Sequence, residues 1–125
     1  MKRVKVLFDL NVIIDIITKR EPFYQYSNIL FLMVANNQIE GIVAAGSIAD
    51  IYYVVRKFFK STLGILDMIT DVLRVLNLVD TKVQDIWTAM GLGMSDFEDA
   101  IVAAVAQREN ADYIVTRNCA DFVNS

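Results

Sequence analysis

Histidine is absent from all 125 residues. That absence excludes Ser-His and Cys-His nucleophilic machinery and imidazole-based zinc sites. A single cysteine, Cys119, excludes an intrachain disulfide and a thiolate metal site. It also fits a reducing, cytoplasmic setting. Long apolar runs are lacking. The longest, Ile29 to Ala35 and Ala100 to Ala106, fall far short of a bilayer span, so no membrane contact is expected. The N-terminus runs from Met1 to Lys5 into a short apolar stretch broken by Asp9, which does not read as a signal peptide. Positive charge is lacking too. The formal charge is −3, so no global basic field marks a nucleic-acid binder, and only a local basic stretch could serve that role. Any chemistry must therefore use carboxylates, hydroxyls, Lys, Arg, or a hard metal held by oxygen.

What is abundant is apolar sequence. Hydrophobic residues make up 55% of the chain and the mean hydropathy is +0.41. This suits one compact domain with a real core. Val4 to Phe8 reads as a first strand ending at Asp9. Asn11 to Thr18 and Phe23 to Ala35 read as helices, with Pro22 at a helix start and Asn36-Asn37 as a stop. Ile39 to Ala45 holds a second strand. Ser47 opens a helix expected to reach about Phe59, and Ser61 opens another from Thr62 to Leu76, with Leu66, Ile69, Leu73 and Leu76 on its apolar stripe. Leu78-Val79 reads as a third strand. Asp80 or Thr81 opens a helix that Gly91-Leu92-Gly93 breaks. Ser95 is expected to cap a helix from Asp96 to Arg108, and Asp112 to Thr116 is the last clear strand. Strands alternating with helices predict a parallel sheet covered on both faces.

In such sheets ligands bind beyond the carboxyl ends of the strands. Four acids fall there. Asp9 follows the first strand, Asp50 and Asp99 lie in first helical turns, and Asp121 follows the last strand by a short loop. Carboxylates brought together repel one another, and a bound Mg²⁺ or Mn²⁺ reverses that repulsion. Such an ion could polarise a phosphodiester and lower the pKa of an attacking water. Each acid also has a structural reading. Ser47 to Asp50 and Ser95 to Glu98 resemble capping boxes, and first-turn acids favour the helix dipole. Asp99 precedes a continuous apolar run, and Asp9 ends an apolar strand, so capping accounts for these two least well. Arg56, Lys57, Lys60, Lys19, Arg20 and Arg117 could add to a phosphate path, or could be solvated cations.

Four segments resemble the motifs of PIN-domain ribonucleases, in order and across almost the whole chain. They are Val6 to Asp15, Ala45 to Tyr53, Asp96 to Ala104, and Ala111 through Thr116 to Asp121 and Phe122. The resemblance implies a three-layer α/β/α fold with a central parallel sheet of four to five strands. It implies Mg²⁺- or Mn²⁺-dependent cleavage of RNA. Many small members are toxins held by an antitoxin protein, and many form homodimers. By the same resemblance Asp9, Asp50 and Asp99 would be the main metal ligands, with Asp121 or the position of Asn118 completing the set. Asp96 would be an auxiliary acid, and Asn11, Ser47 and Thr116 would orient the ligands through hydrogen bonds. One domain over residues 1–125 is expected. Truncation at the C-terminus is an open reading, since the family usually adds a final strand and tail. The alternative activity is a degenerate PIN domain that binds RNA or protein without cutting. Two other phosphate-handling folds fit less well. A haloacid-dehalogenase-like phosphatase wants an acid where Asn11 stands, and a receiver domain wants an early acidic pair and a late Lys.

Overall fold

The computed structural model describes residues 2–117 and the backbone of residues 123–124. Five strands form one sheet: β1 (Lys5–Phe8), β2 (Glu40–Ala44), β3 (Asn77–Val79), β4 (Tyr113–Val115) and β5 (Val123–Asn124). Among the described residues the connecting α-helices are α1 (Leu10–Thr18), α2 (Phe23–Ala35), α3 (Ile48–Val55), α4 (Thr62–Val75), α5 (Val83–Gly91) and α6 (Phe97–Arg108). The strand order is β3-β2-β1-β4-β5. Four strands are parallel, and β5 pairs antiparallel with β4, an edge strand that the sequence reading did not include.

Alternating strand residues feed two layers. Val6, Phe8, Val43 and Val115 join a large aliphatic core with α1 to α4. Leu7, Ile42, Ala44 and Ile114 pack on the alanine-rich face of α6. Strands buried on both faces explain their unbroken apolar sequence. Gly41 permits close packing in the first layer. A Cβ there would lie 2.6 Å from Leu76 Cδ2 and 2.8 Å from Val34 Cγ2.

Several element ends differ from the sequence reading. The helix after Ser47 begins with a short 3-10 turn and stops at Val55, not Phe59. On α4 the buried residues are Ile65, Ile69 and Val72, followed by Leu76, whereas Leu66 is exposed. Ile69 and Leu76 are buried as the stripe predicts and Leu73 packs against the core, whereas Ile65 takes the place expected for Leu66. Ser61 does cap α4, accepting from the Gly64 amide at 3.1 Å. Lys82, not Asp80 or Thr81, is the N-cap of α5. Asp96, not Ser95, caps α6 by accepting from the Asp99 amide at 3.0 Å. Ser47 makes no side-chain capping bond to α3. Neither proposed capping box therefore forms.

Candidate active site

The strand order reverses direction at β1. The chain moves outward through β2 and β3, then crosses to β4 on the other side of β1. Such a switch point leaves a crevice beyond the carboxyl ends of the two central strands. Asp9 stands there. Its amide donates to the Val115 carbonyl at 3.0 Å, which extends the β1–β4 ladder by one residue, and its own carbonyl starts α1 by accepting from Val12 at 3.1 Å. The side chain is buried.

Asp9, Asn11, Asp99, Met94, Thr116 and Arg117 are among the residues lining a cleft of about 540 Å³. Ser47, Asp50, Thr81, Phe97 and Glu98 line a neighbouring cavity of about 360 Å³, and Val102 belongs to both walls. Thr81 is held in that wall by accepting the Gly46 amide at 2.9 Å.

The electrostatics join the two cavities. Burial raises the Asp9 carboxyl above its ordinary value of 3.8, and the Asp99 charge raises it further. The Leu10 and Asn11 amides and the Asn11 side chain work in the opposite direction and favour the anion. Glu98 is also raised, first by burial and then by the charges of Asp50, Asp9, Asp96 and Asp99. Four acids thus lie within electrostatic reach of Glu98 in the first turn of α6. Among the described residues, no three acids or cysteines are arranged to hold one ion between them.

The predicted residues sort as follows. Asp9, Asn11, Asp99 and Thr116 line the cleft; Ser47 and Asp50 line the cavity beside it. The Asp96 carboxylate caps α6 at the rim. Asn118 and Asp121 lie outside the described residues.

Glu98 was read from sequence only as a capping residue. The density of acids in Asp96-Phe97-Glu98-Asp99 was the signal for its place in the group. Arg117 is not a free phosphate ligand. Its Nε and Nη2 donate to the Asp15 carboxylate at 3.0 and 2.9 Å, and its guanidinium lies 5.4 Å from the Phe23 ring centre. Asp15 is fully buried, and its signal was a lone acid inside Val12-Ile13-Ile14-Asp15-Ile16-Ile17. Arg117 also borders an apolar groove of about 560 Å³ formed with Phe23, Tyr26, Ile29 and Leu30.

Comparison with known proteins follows the same lines. Ribonuclease VapC1 of Aquifex aeolicus (strain VF5) is 25% identical over 123 residues, covering 94% of this chain and 84% of that protein. VapBC2 from Rickettsia felis, solved bound to a DNA fragment from their promoter, matches with a TM-score of 0.66 at 22% identity, over 92% of this chain and 89% of that one. Mycobacterium tuberculosis VapC20, a sarcin-ricin loop cleaving toxin, matches with a TM-score of 0.71 at 10% identity, over 96% and 98% of the two chains. At these identities the structural likeness speaks to the fold. The sequence itself matches the PIN domain over residues 5–120, and the chain belongs to the PIN domain family.

Proposed function

We propose that this chain is a Mg²⁺- or Mn²⁺-dependent endoribonuclease that hydrolyses RNA phosphodiester bonds, and that it is the toxin of a toxin–antitoxin pair. One observation carries the reading. Asp9 is buried at the switch point, forms no ion pair among the described residues, and has Asp99 on the same cleft wall. Arg117, the cation on that wall, is occupied by Asp15. A fold that only needed a cap at this point would not bury an acid beside another acid.

The donor chemistry fits a hard cation. Asp9 and Asp99 offer carboxylate oxygens and Asn11 an amide oxygen, with no sulfur or imidazole present. Magnesium is commonly held by one or two carboxylates while water and substrate phosphate complete its shell, so a closed three-acid cage is not required. Bound there, the ion would supply charge neutralisation for the phosphodiester and a lowered pKa for the attacking water. Asp9 would hold it, with the Leu10 and Asn11 amides offsetting part of the cost that burial places on its anion. Asp50 and Asp121 would complete the acidic set. Asn11, Ser47, Thr116 and the Asn118 position would orient ligands by hydrogen bonds. Asp96 would act as an auxiliary acid while capping α6.

The named relatives support the wider setting: a ribonuclease, VapBC2 bound to a DNA fragment from their promoter, and a sarcin-ricin loop cleaving toxin. We read the chain as one domain over 1–125, supported by its single continuous sheet. A homodimer is supported by Val83, Trp87 and Met90, which form an exposed apolar stripe on α5. A cytoplasmic setting is supported by the single cysteine. No described helix is long and apolar enough to cross a membrane.

The test is cleavage of RNA by purified protein with Mn²⁺ or Mg²⁺. Activity should vanish with EDTA and return with the metal. Asp9→Asn and Asp99→Asn should each lower it at least ~100-fold, the upper end of what losing a group that only orients a ligand costs. An Asp99→Asn protein that cuts as fast as its parent would overturn the site assignment. The second reading, a non-catalytic binding module, is favoured by the lack of a three-acid cluster among the described residues. It predicts RNA binding by the parent with no cleavage at any metal concentration.

A further inference from the structure

Three cations, Arg56, Lys57 and Lys60, follow α3 within five residues of its end. Lys5, Arg74, Arg108 and Arg117 each meet a carboxylate. Arg56, Lys57 and Lys60 meet none among the described residues, as is also true of Lys2, Arg3, Lys19 and Arg20; what sets Arg56 apart is the exposed ring it lies over.

Arg56 instead lies over the Tyr53 ring, its guanidinium carbon 4.9 Å from the ring centre. Tyr53 is 54% exposed. Tyr52 meets it edge-on at 5.5 Å and itself packs against the aliphatic core. The aromatic support is therefore anchored while its outer surface faces solvent. Asp50, Tyr53 and the C-cap residue Arg56 follow at intervals of three residues, so each neighbours the next about 5 Å further along the axis. Asp50 opens into the acidic cavity, whose rim carries the half-exposed Phe97 ring. The face thus runs from the acids to a ring-backed arginine.

A simple alternative is that these cations complement the C-terminal dipole of α3. Charge alone satisfies that role, and any of the three residues supplies it. It does not call for an arginine placed over a buttressed, exposed ring. A guanidinium backed by a ring is, however, a good platform for nucleic acid. Its face stacks on a base and its N–H edge binds phosphate.

We propose that the Tyr53–Arg56 face of α3 is a subsite for single-stranded RNA flanking the cleavage point. One base stacks on the Arg56 guanidinium, a neighbouring phosphate takes its N–H edge, and Lys57 and Lys60 extend the phosphate path. The proposal rests on the ribonuclease reading of the adjacent cleft.

The test uses a fluorescein-labelled, mixed-sequence single-stranded 12-nucleotide RNA and the full chain carrying Asp99→Asn. Anisotropy gives affinity at several salt concentrations. Adding Arg56→Gln should weaken binding about tenfold and lower the salt slope by about 1. Arg56→Lys should keep the slope while losing a few-fold in affinity, because charge survives and stacking does not. Tyr53→Leu should weaken binding about tenfold with little change of slope. In the otherwise unaltered enzyme, Arg56→Gln should raise KM and leave kcat within about twofold. Both sites are exposed, and unchanged melting curves would confirm that the variants fold.

Affinities and slopes within twofold of the parent for all three variants would overturn the subsite. So would unchanged RNA binding combined with loss of a protein contact on this face. If the parent cuts RNA and Arg56→Gln keeps its KM, the subsite fails and the nuclease reading stands. If the parent binds RNA through Arg56 but never cuts it, the nuclease reading fails and the subsite stands.

Discussion

Asp9 and Asp15 both belong to the α1 region, six residues apart, and both are buried. Their surroundings are opposite. Asp15 receives two hydrogen bonds from Arg117, so its charge is matched inside the protein. Asp9 faces a cleft that also holds Asp99, and burial raises its pKa. A matched buried charge is part of the scaffold, whereas an unmatched one marks a functional-site candidate. Asp85 follows the scaffold pattern. It is buried on α5 and takes hydrogen bonds from Arg108 on α6 at 2.9 to 3.2 Å.

The sharpest way to break this contrast is to unmatch Asp15. Arg117→Leu should cost about 3–5 kcal/mol in denaturant unfolding, because it leaves a buried carboxylate alone. The double change Asp15→Leu with Arg117→Leu should recover to within about 1 kcal/mol of the parent, since removing both charges removes the desolvation cost. Equal losses in the single and double variants would show that Arg117 matters only as packing against Phe23.

Asp85 tests the same idea through pH. Burial pushes its carboxyl up, but the hydrogen bonds from Arg108 and the Lys82 amide outweigh that and hold it below 3.8. A depressed folded pKa contributes stability above the unfolded value, and that stability is lost as pH falls through the folded one. Asp85→Asn should therefore cost about 2 kcal/mol at neutral pH, in the range of a charge-assisted hydrogen bond. The difference from the parent should close in strong acid. A gap that persists there would mean the amide fails for steric reasons.

Asp9 should show the smallest effect on stability, and of the opposite sign. Its raised folded pKa means that its contribution is intact below 3.8 and declines as pH rises through the folded value. Metal-free Asp9→Asn should melt at the same temperature as the parent or a few degrees higher at neutral pH, and the gain should vanish below 3.8. A large drop in melting temperature would class Asp9 with Asp15 as scaffold.

The strands and helices were legible because apolar periodicity and turn residues mark them directly. Phe23–Ala35 matches its expected bounds, and Asp9 falls at the strand end as expected. Local competition decided what was not legible. Ser95 and Asp96 are both good caps, and only the backbone path shows that Asp96 is used. Whether Arg117 serves a phosphate or Asp15 depends on a pairing across 102 positions, which no local pattern encodes. Glu98 looked like half of a capping box, and only its neighbours in space give it a second meaning.

That 102-position span also sets an order of events. β1 lies at the centre of the sheet, and its partner on the cleft side is β4, whose register runs from Val6↔Tyr113 to Phe8↔Val115. Contacts so distant in sequence close late in folding, because the intervening loop entropy must first be overcome. As the chain is synthesised, Asp9 emerges near the beginning, while Thr116 and Arg117 follow more than a hundred residues later. Until they arrive, one wall of the acidic cleft is missing and Asp15 has no counter-ion. A partly made chain therefore carries the first acid without the pocket that surrounds it in the finished fold.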